Sequence, residues 1–321
     1  MSVTPIPVTV LSGFLGAGKT TLLRHMLRTE HGLRLAVIEN EYSDTPIDSR
    51  LLGDAPVKVM TLANGCVCCS ILGELEKALL LLLEKRDAGE LQFDRLVIEC
   101  TGLADPAPVA QTFLATPELC ERYRLDGIIT LVDAVNAGRH LQEPIAQAQV
   151  GFADRILLSK TDLVDAATLE ALSARLQRIN RQAPIHVVEH GAVDLGELFG
   201  VQGFELNGNA TPRLRPVAAG KSSDRIATLV LTTTTPIDLQ RLSGFMETLL
   251  HDHGNALLRY KGVLDIAGES RRMVFQGVLQ LYGFDWDEEW GVDEARESVI
   301  VFIGDSLPNE AIQESFAALT A

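Results

Sequence analysis

Three thiols stand almost side by side as Cys66-Val67-Cys68-Cys69, downstream of a glycine-rich run that ends in Gly18-Lys19-Thr20. Thiolates this close can share a soft metal ion, exchange electrons, or fill a core inertly. Glycines ahead of a lysine and a hydroxyl residue serve a different end, because their backbone N–H groups can curl around phosphate oxygens. Phosphate-anhydride chemistry and thiolate chemistry therefore lie close together in one chain.

The run Gly13-Phe14-Leu15-Gly16-Ala17-Gly18-Lys19-Thr20 fits G-x-x-x-x-G-K-[ST] between a predicted strand, Val8 to Leu11, and a predicted helix, Thr20 to Leu27. That context turns a glycine turn into a phosphate loop. Gly13, Gly16, Ala17, Gly18 and Thr21 are assigned to the nucleotide, with Lys19 reaching the β- and γ-oxygens and the Thr20 hydroxyl serving as a Mg²⁺ ligand. In Leu96-Val97-Ile98-Glu99-Cys100-Thr101-Gly102, Glu99 is placed in the Mg²⁺ shell and the Gly102 N–H at the γ-phosphate. Glutamate departs from the commoner aspartate, and its length calls for contact through water or a part in positioning the attacking water. Glu39, Asp44 and Glu99 are the candidates to orient that water. Ser159-Lys160-Thr161-Asp162 follows the strand Ile156 to Leu158 and resembles the base-specificity motif Asn-Lys-x-Asp. The Asp162 carboxylate can accept from N1–H and the exocyclic amine of guanine, whereas adenine sets a lone pair against it.

Cys66 and Cys68 can reach one ion, and Cys69 can join them at the cost of a tight backbone. Three thiolates leave a tetrahedral zinc one ligand short, and an incoming ligand can attack without first breaking a saturated shell. Glu39 is the candidate fourth ligand; Cys100 or Cys120 serve only if the fold brings them near. A redox role for Cys68 and Cys69 is the lesser alternative, and inert burial a further one.

The elements that must position these residues follow from short apolar runs. Leu35 to Ile38, Leu96 to Ile98, Ile128 to Val132, Ile156 to Leu158 and His186 to Val188 read as buried strands, with helices such as Gly73 to Lys85 and Ala166 to Asn180 between. Continuous apolar strands alternating with helices predict an α/β fold, a mostly parallel sheet covered by helices. Several runs end on an acid, Glu39, Glu99 or Asp133, at the end of the sheet where ligands gather. For Asp133 a plain loop-opening role is preferred. A Gly-, Pro- and Asn-rich stretch at 207–224 reads as a linker between a domain at 1–206 and a small α+β domain at 225–321. The latter is predicted to hold strands at Ile226 to Thr232, Leu257 to Ile266, Met273 to Tyr282 and Ser298 to Ile303. Helices are predicted from Asp238 to His251 and from Pro308.

Net charge narrows the partners. At −15, with a sequence pI of about 4.9, the surface repels phosphate backbones and anionic membranes, so neither is an expected partner. Five cysteines, three nearly adjacent, make a poor disulfide framework and fit a reducing cytoplasm. Leu79 to Leu83 is too short to span a bilayer. Trp286 and Trp290 are predicted to pack on the second domain's sheet, and His140, His186 and His190 are assigned no role.

Taken together, GFLGAGKTTLL, IENE, NGCVCCS, IECTGLADP, SKTD and the later RYKG and MVFQGV segments resemble the CobW-type P-loop GTPases along essentially the whole chain. The resemblance implies GTP hydrolysis coupled to handling of zinc or, in some branches, cobalt; with no obvious base for the water, slow turnover until a partner intervenes is expected. It further implies delivery to client metalloenzymes, with Cys66, Cys68 and Cys69 as the transfer ligands. Many relatives carry a histidine-rich stretch near the second domain; here only His251-Asp252-His253 stands, and i, i+2 residues do not share a helical face. It reads as a solvated helix end. A zinc buffer with nucleotide-tuned affinity and a small-molecule kinase are the alternatives, and homodimerisation is compatible with the sequence without being indicated by it.

Overall fold

Apolar β-branched runs too short for helices become the strands of two separate sheets. The computed structural model describes residues 4–29, 32–39, 58–61, 70–189, 191–201, 203, 224–292 and 294–319. Asp44, Cys66, Cys68, Cys69, His190 and all of the proposed linker except Asp224 lie outside them. These residues group into two compact units, Met1–Ser173 with Ala183–Phe204, and Ala174–Gln182 with Glu205–Ala321.

The first unit contains β1 (Ile6–Gly13), α1 (Lys19–Arg28), β2 (Leu35–Glu39), β3 (Lys58–Thr61), α2 (Ser70–Asp87) and β4 (Arg95–Glu99), then α3 (Ala107–Ala115), α4 (Pro117–Arg122) and β5 (Tyr123–Asp133). It continues through α5 (Ala137–His140), α6 (Pro144–Phe152), β6 (Arg155–Ser159), most of α7 (Ala166–Ile179) and β7 (Ile185–Val188). The seven strands lie in the order β3-β2-β4-β1-β5-β6-β7, and every pairing is parallel. The predicted parallel sheet is thus found, with β3 added at its edge. Burial on both faces accounts for the unbroken apolar sequence of β2 and β4. On α2, Leu75, Ala78, Leu79, Leu82 and Leu83 are buried, a spacing of three and four that turns one face to the core. One buried polar group crosses three strands, where Arg95 on β4 donates to Asp126 on β5 at 2.5 Å and to Thr9 on β1 at 2.9 Å. No helix among the described residues is long and apolar enough to cross a membrane.

The second unit holds β8 (Ile226–Thr233), α8 (Leu239–His253), β9 (Leu257–Asp265), β10 (Arg271–Val278), β11 (Leu281–Glu289), β12 (Ser298–Asp305) and α9 (Asn309–Ala317). Its sheet runs β11-β10-β9-β12-β8 with antiparallel pairing throughout. Leu242, Phe245, Met246 and Leu249 of α8 and Ile312 and Phe316 of α9 pack with Tyr260, Phe275 and Phe302 in one core. Asp238 caps α8 by accepting from the Arg241 N–H at 2.9 Å, so the helix begins where the sequence places it. Trp286 packs against this core.

One expectation changes. The single strand foreseen at Met273 to Tyr282 is a hairpin, β10 and β11, folded about Leu279 with φ 52°. A leucine in the left-handed region is uncommon, which is why no turn residue announces the break. The last turns of α7 also belong with the second unit: Arg175 pairs with Asp224 and the Thr228 hydroxyl donates to the Ile179 carbonyl at 2.9 Å.

Candidate functional site

The phosphate loop turns sharply out of β1 because Gly13 adopts φ 134° against the next strand. A Cβ there would fall 2.3 Å from the Leu131 carbonyl oxygen, so no other residue fits. Gly18 opens α1 at φ 104°, and Ala17 N–H closes a turn onto the Phe14 carbonyl at 3.1 Å. Lys19 is the first residue of α1 and buried; its Nζ donates to the Gly13 carbonyl at 2.8 Å and the Phe14 carbonyl at 3.3 Å. A cation tied to the loop's own carbonyls lies where phosphate oxygens compete for it.

Thr20 and Glu99, seventy-nine residues apart, meet: the hydroxyl donates to Glu99 Oε1 at 2.9 Å. Glu99 therefore touches Thr20 directly. Glu39 is 2% exposed at the end of β2, in register with Glu99 of β4 on one side and Thr61 of β3 on the other. Residues in register on neighbouring strands face the same way, so two buried carboxylates stand side by side at the carboxyl end of the sheet. Gly102 presses on the phosphate loop so closely that a Cβ would lie 2.6 Å from Leu15 N.

The base motif is fastened to the same loop. Ser159 Oγ donates to the Ala17 carbonyl at 2.7 Å. Lys160 takes a left-handed backbone, φ 57°, and its Nζ donates to Asp133 Oδ2 at 2.7 Å. Asp162 follows, exposed, in the short helical turn Thr161–Leu163. Asp133 is more than a loop opener, which corrects the sequence reading. It also accepts from the Asn136 side chain at 2.7 Å and the Val135 N–H at 2.9 Å. Burial pushes its carboxyl up, but the Lys160 and Asn136 hydrogen bonds outweigh this and hold it below the ordinary carboxylate value.

His140, assigned nothing from its spacing, stacks on Phe14 of the phosphate loop with centroids 4.3 Å apart. Burial lowers its pKa, so the ring packs as neutral imidazole. Only an aromatic at the second loop position hinted at this. Cys100 is buried, and burial pushes its thiol up to about 12, so it is held as a thiol. Cys120 lies on α4, its Sγ donating to the Phe113 carbonyl at 3.0 Å. Among the described residues no group of three His, Cys, Asp or Glu side chains is placed to hold a metal ion.

Family models match over residues 7–187, as the CobW/HypB/UreG nucleotide-binding domain, and over 226–320, as the cobalamin synthesis protein cobW C-terminal domain. The chain is 53% identical over 319 residues to the zinc chaperone YjiA of Escherichia coli, covering 98% of this chain and 99% of that protein. It is 32% identical over 350 residues to the zinc chaperone CobW of Pseudomonas aeruginosa, covering 96% and 89%. The solved structure of Zn(II)-bound YjiA GTPase from E. coli superposes with a TM-score of 0.84 at 46% identity, over 99% of this chain and 100% of that one. By its sheet, its phosphate loop and these matches, the chain belongs to the CobW/HypB/UreG family of P-loop GTPases.

Proposed function

We propose that the protein is a zinc metallochaperone, a Mg²⁺-dependent GTPase that couples GTP binding and hydrolysis to transfer of zinc from Cys66, Cys68 and Cys69 to client metalloproteins. Residues 1–206 form the GTPase domain bearing the cysteine segment, 207–224 the linker, and 225–321 the C-terminal α+β domain. The relatives named as zinc chaperones and the Zn(II)-bound YjiA structure support zinc as cargo; cobalt is the alternative. The net charge of −15 argues against nucleic-acid and membrane partners, and a cytoplasmic setting suits thiolates kept reduced.

Coupling is carried by one observation, the row Thr61, Glu39, Glu99 across three strand ends. Glu99 bonds the Thr20 hydroxyl, and the cysteine segment begins just beyond Thr61. A nucleotide that shifts Thr20 or Glu99 acts one strand away on Glu39, the proposed fourth zinc ligand. Movement of the segment bearing Asp44 belongs to the same switch.

Each residue then has a defined task. The amides of Gly13, Gly16, Ala17 and Gly18, with Thr21, hold the phosphates, and Lys19 exchanges its carbonyl partners for phosphate oxygens. Thr20 and Glu99 supply the hard oxygen donors that Mg²⁺ prefers. The ion, when bound, neutralises charge on the β- and γ-oxygens. Gly102 offers its N–H to the γ-phosphate, and the candidates to orient the attacking water are Glu39, Asp44 and Glu99. Asp162 reads guanine, held in place by Ser159 and Lys160.

The test is zinc transfer to an apo-metalloenzyme, followed by recovery of its activity, with GTP and with a non-hydrolysable analogue. Transfer should require GTP and vanish when all three clustered cysteines become serine. Equal transfer with both nucleotides would assign a zinc buffer instead.

A further inference from the structure

Gln149 lies on α6 and is 1% exposed. Its side-chain nitrogen donates to the Gly102 carbonyl at 3.2 Å and to the Ala104 carbonyl at 3.0 Å. Its main-chain carbonyl accepts the Thr130 hydroxyl at 2.8 Å, which fastens it to β5. Between the two gripped carbonyls the chain makes a turn, closed by the Ala104 N–H on the Thr101 carbonyl at 3.1 Å. On its other side this turn abuts Leu15 of the phosphate loop. One buried amide therefore holds from within the segment that meets the phosphate loop from without.

We infer that Gln149 is the positioning residue of the turn that reads the γ-phosphate. In a trans peptide the C=O and N–H point in opposite directions. Drawing the Gly102 and Ala104 carbonyls to Gln149 thus turns the N–H groups of Leu103 and Asp105 away from it. The Thr101 carbonyl, taken by Ala104, turns the Gly102 N–H to the far side of its own peptide. Preorganised donors are worth most when nothing must rearrange as charge develops, and Gln149 is the side chain seen to hold both of these carbonyls. The inference rests on the proposed role of Gly102.

The experiment compares the full-length protein with Gln149→Met, which keeps nearly the length of the side chain but has no donor, and Gln149→Leu, which is also shorter. Affinities for GDP and for a non-hydrolysable GTP analogue are measured alongside kcat. GDP has no γ-phosphate, so its affinity should stay near wild type. Analogue affinity and kcat should fall by about tenfold, the scale of one lost hydrogen bond. Near-normal GDP binding also certifies the fold, and the near-isosteric methionine carries the test if leucine unfolds the core. Equal losses for GDP and analogue, or no loss for either, overturn the inference. Gly102→Ala, whose Cβ must push the turn off Leu15, separates the two readings: if it loses analogue affinity but not GDP affinity while both Gln149 variants keep analogue affinity, the role of Gly102 stands and that of Gln149 falls. If Gly102→Ala also leaves analogue affinity intact, the role of Gly102 falls with it.

Discussion

Ser159 Oγ donates to the Ala17 carbonyl at 2.7 Å across 142 residues of sequence, joining the base motif to the phosphate loop by one buried hydrogen bond. Ser159→Ala leaves that carbonyl unsatisfied, at a cost of about 1–2 kcal/mol. GDP and GTP affinities should fall together, by roughly tenfold, in a fluorescent-nucleotide titration. A loss confined to GTP would contradict this placement.

Base selectivity tests the exposed end of the same motif. Asp162→Asn removes the charge and offers an N–H where guanine presents only donors. Guanine affinity should drop about 10- to 100-fold, the range for a hydrogen bond to a charged group, while ATP binding changes little. Competition between GTP and ATP reads the outcome, and an unchanged preference would remove Asp162 from the base site.

Glu99→Gln keeps an acceptor for the Thr20 hydroxyl but removes the charge beside the metal. The Mg²⁺ concentration for half-maximal hydrolysis should rise by about tenfold or more, with GDP affinity in the absence of Mg²⁺ nearly unchanged. A Mg²⁺ titration of the steady-state rate decides it.

Asp133 gives a pH signature. A carboxyl depressed in the folded state contributes stability above its unfolded value, ~4, and loses that contribution as pH falls through the lower folded value. The stability gap between wild type and Asp133→Asn in urea should be constant from neutrality to about pH 5 and shrink below ~4. A gap that widened in acid would reverse the assignment.

Thiol chemistry separates Cys100 from the rest. With Cys66, Cys68 and Cys69 changed to serine, an alkylating reagent should modify Cys120 in the native protein. Cys100, with its thiol pushed up to about 12, should react only after unfolding. Mass spectrometry of the digested protein locates the label.

The phosphate loop and the strand-end acids were legible because their chemistry is local: glycines, lysine and threonine at fixed offsets, and acids closing apolar runs. The hairpin at Leu279 was not, since Leu279-Gln280 carries none of the residues that usually turn a chain. Asp133 and Gln149 escaped for another reason. Their partners lie 27 and 47 residues away, and only the fold brings them within reach. The same holds for His140 against Phe14, where the spacing carries no periodic signal.

The bonds Ser159–Ala17 and Lys160–Asp133 are made by the protein to itself, so the base end of the site is built independently of any ligand. Guanine then docks on a surface whose ordering entropy is already spent in folding. Association should change little among variants of this region, and their affinities should diverge in residence time instead. A carrier built this way sets the length of its loaded interval by how slowly nucleotide leaves.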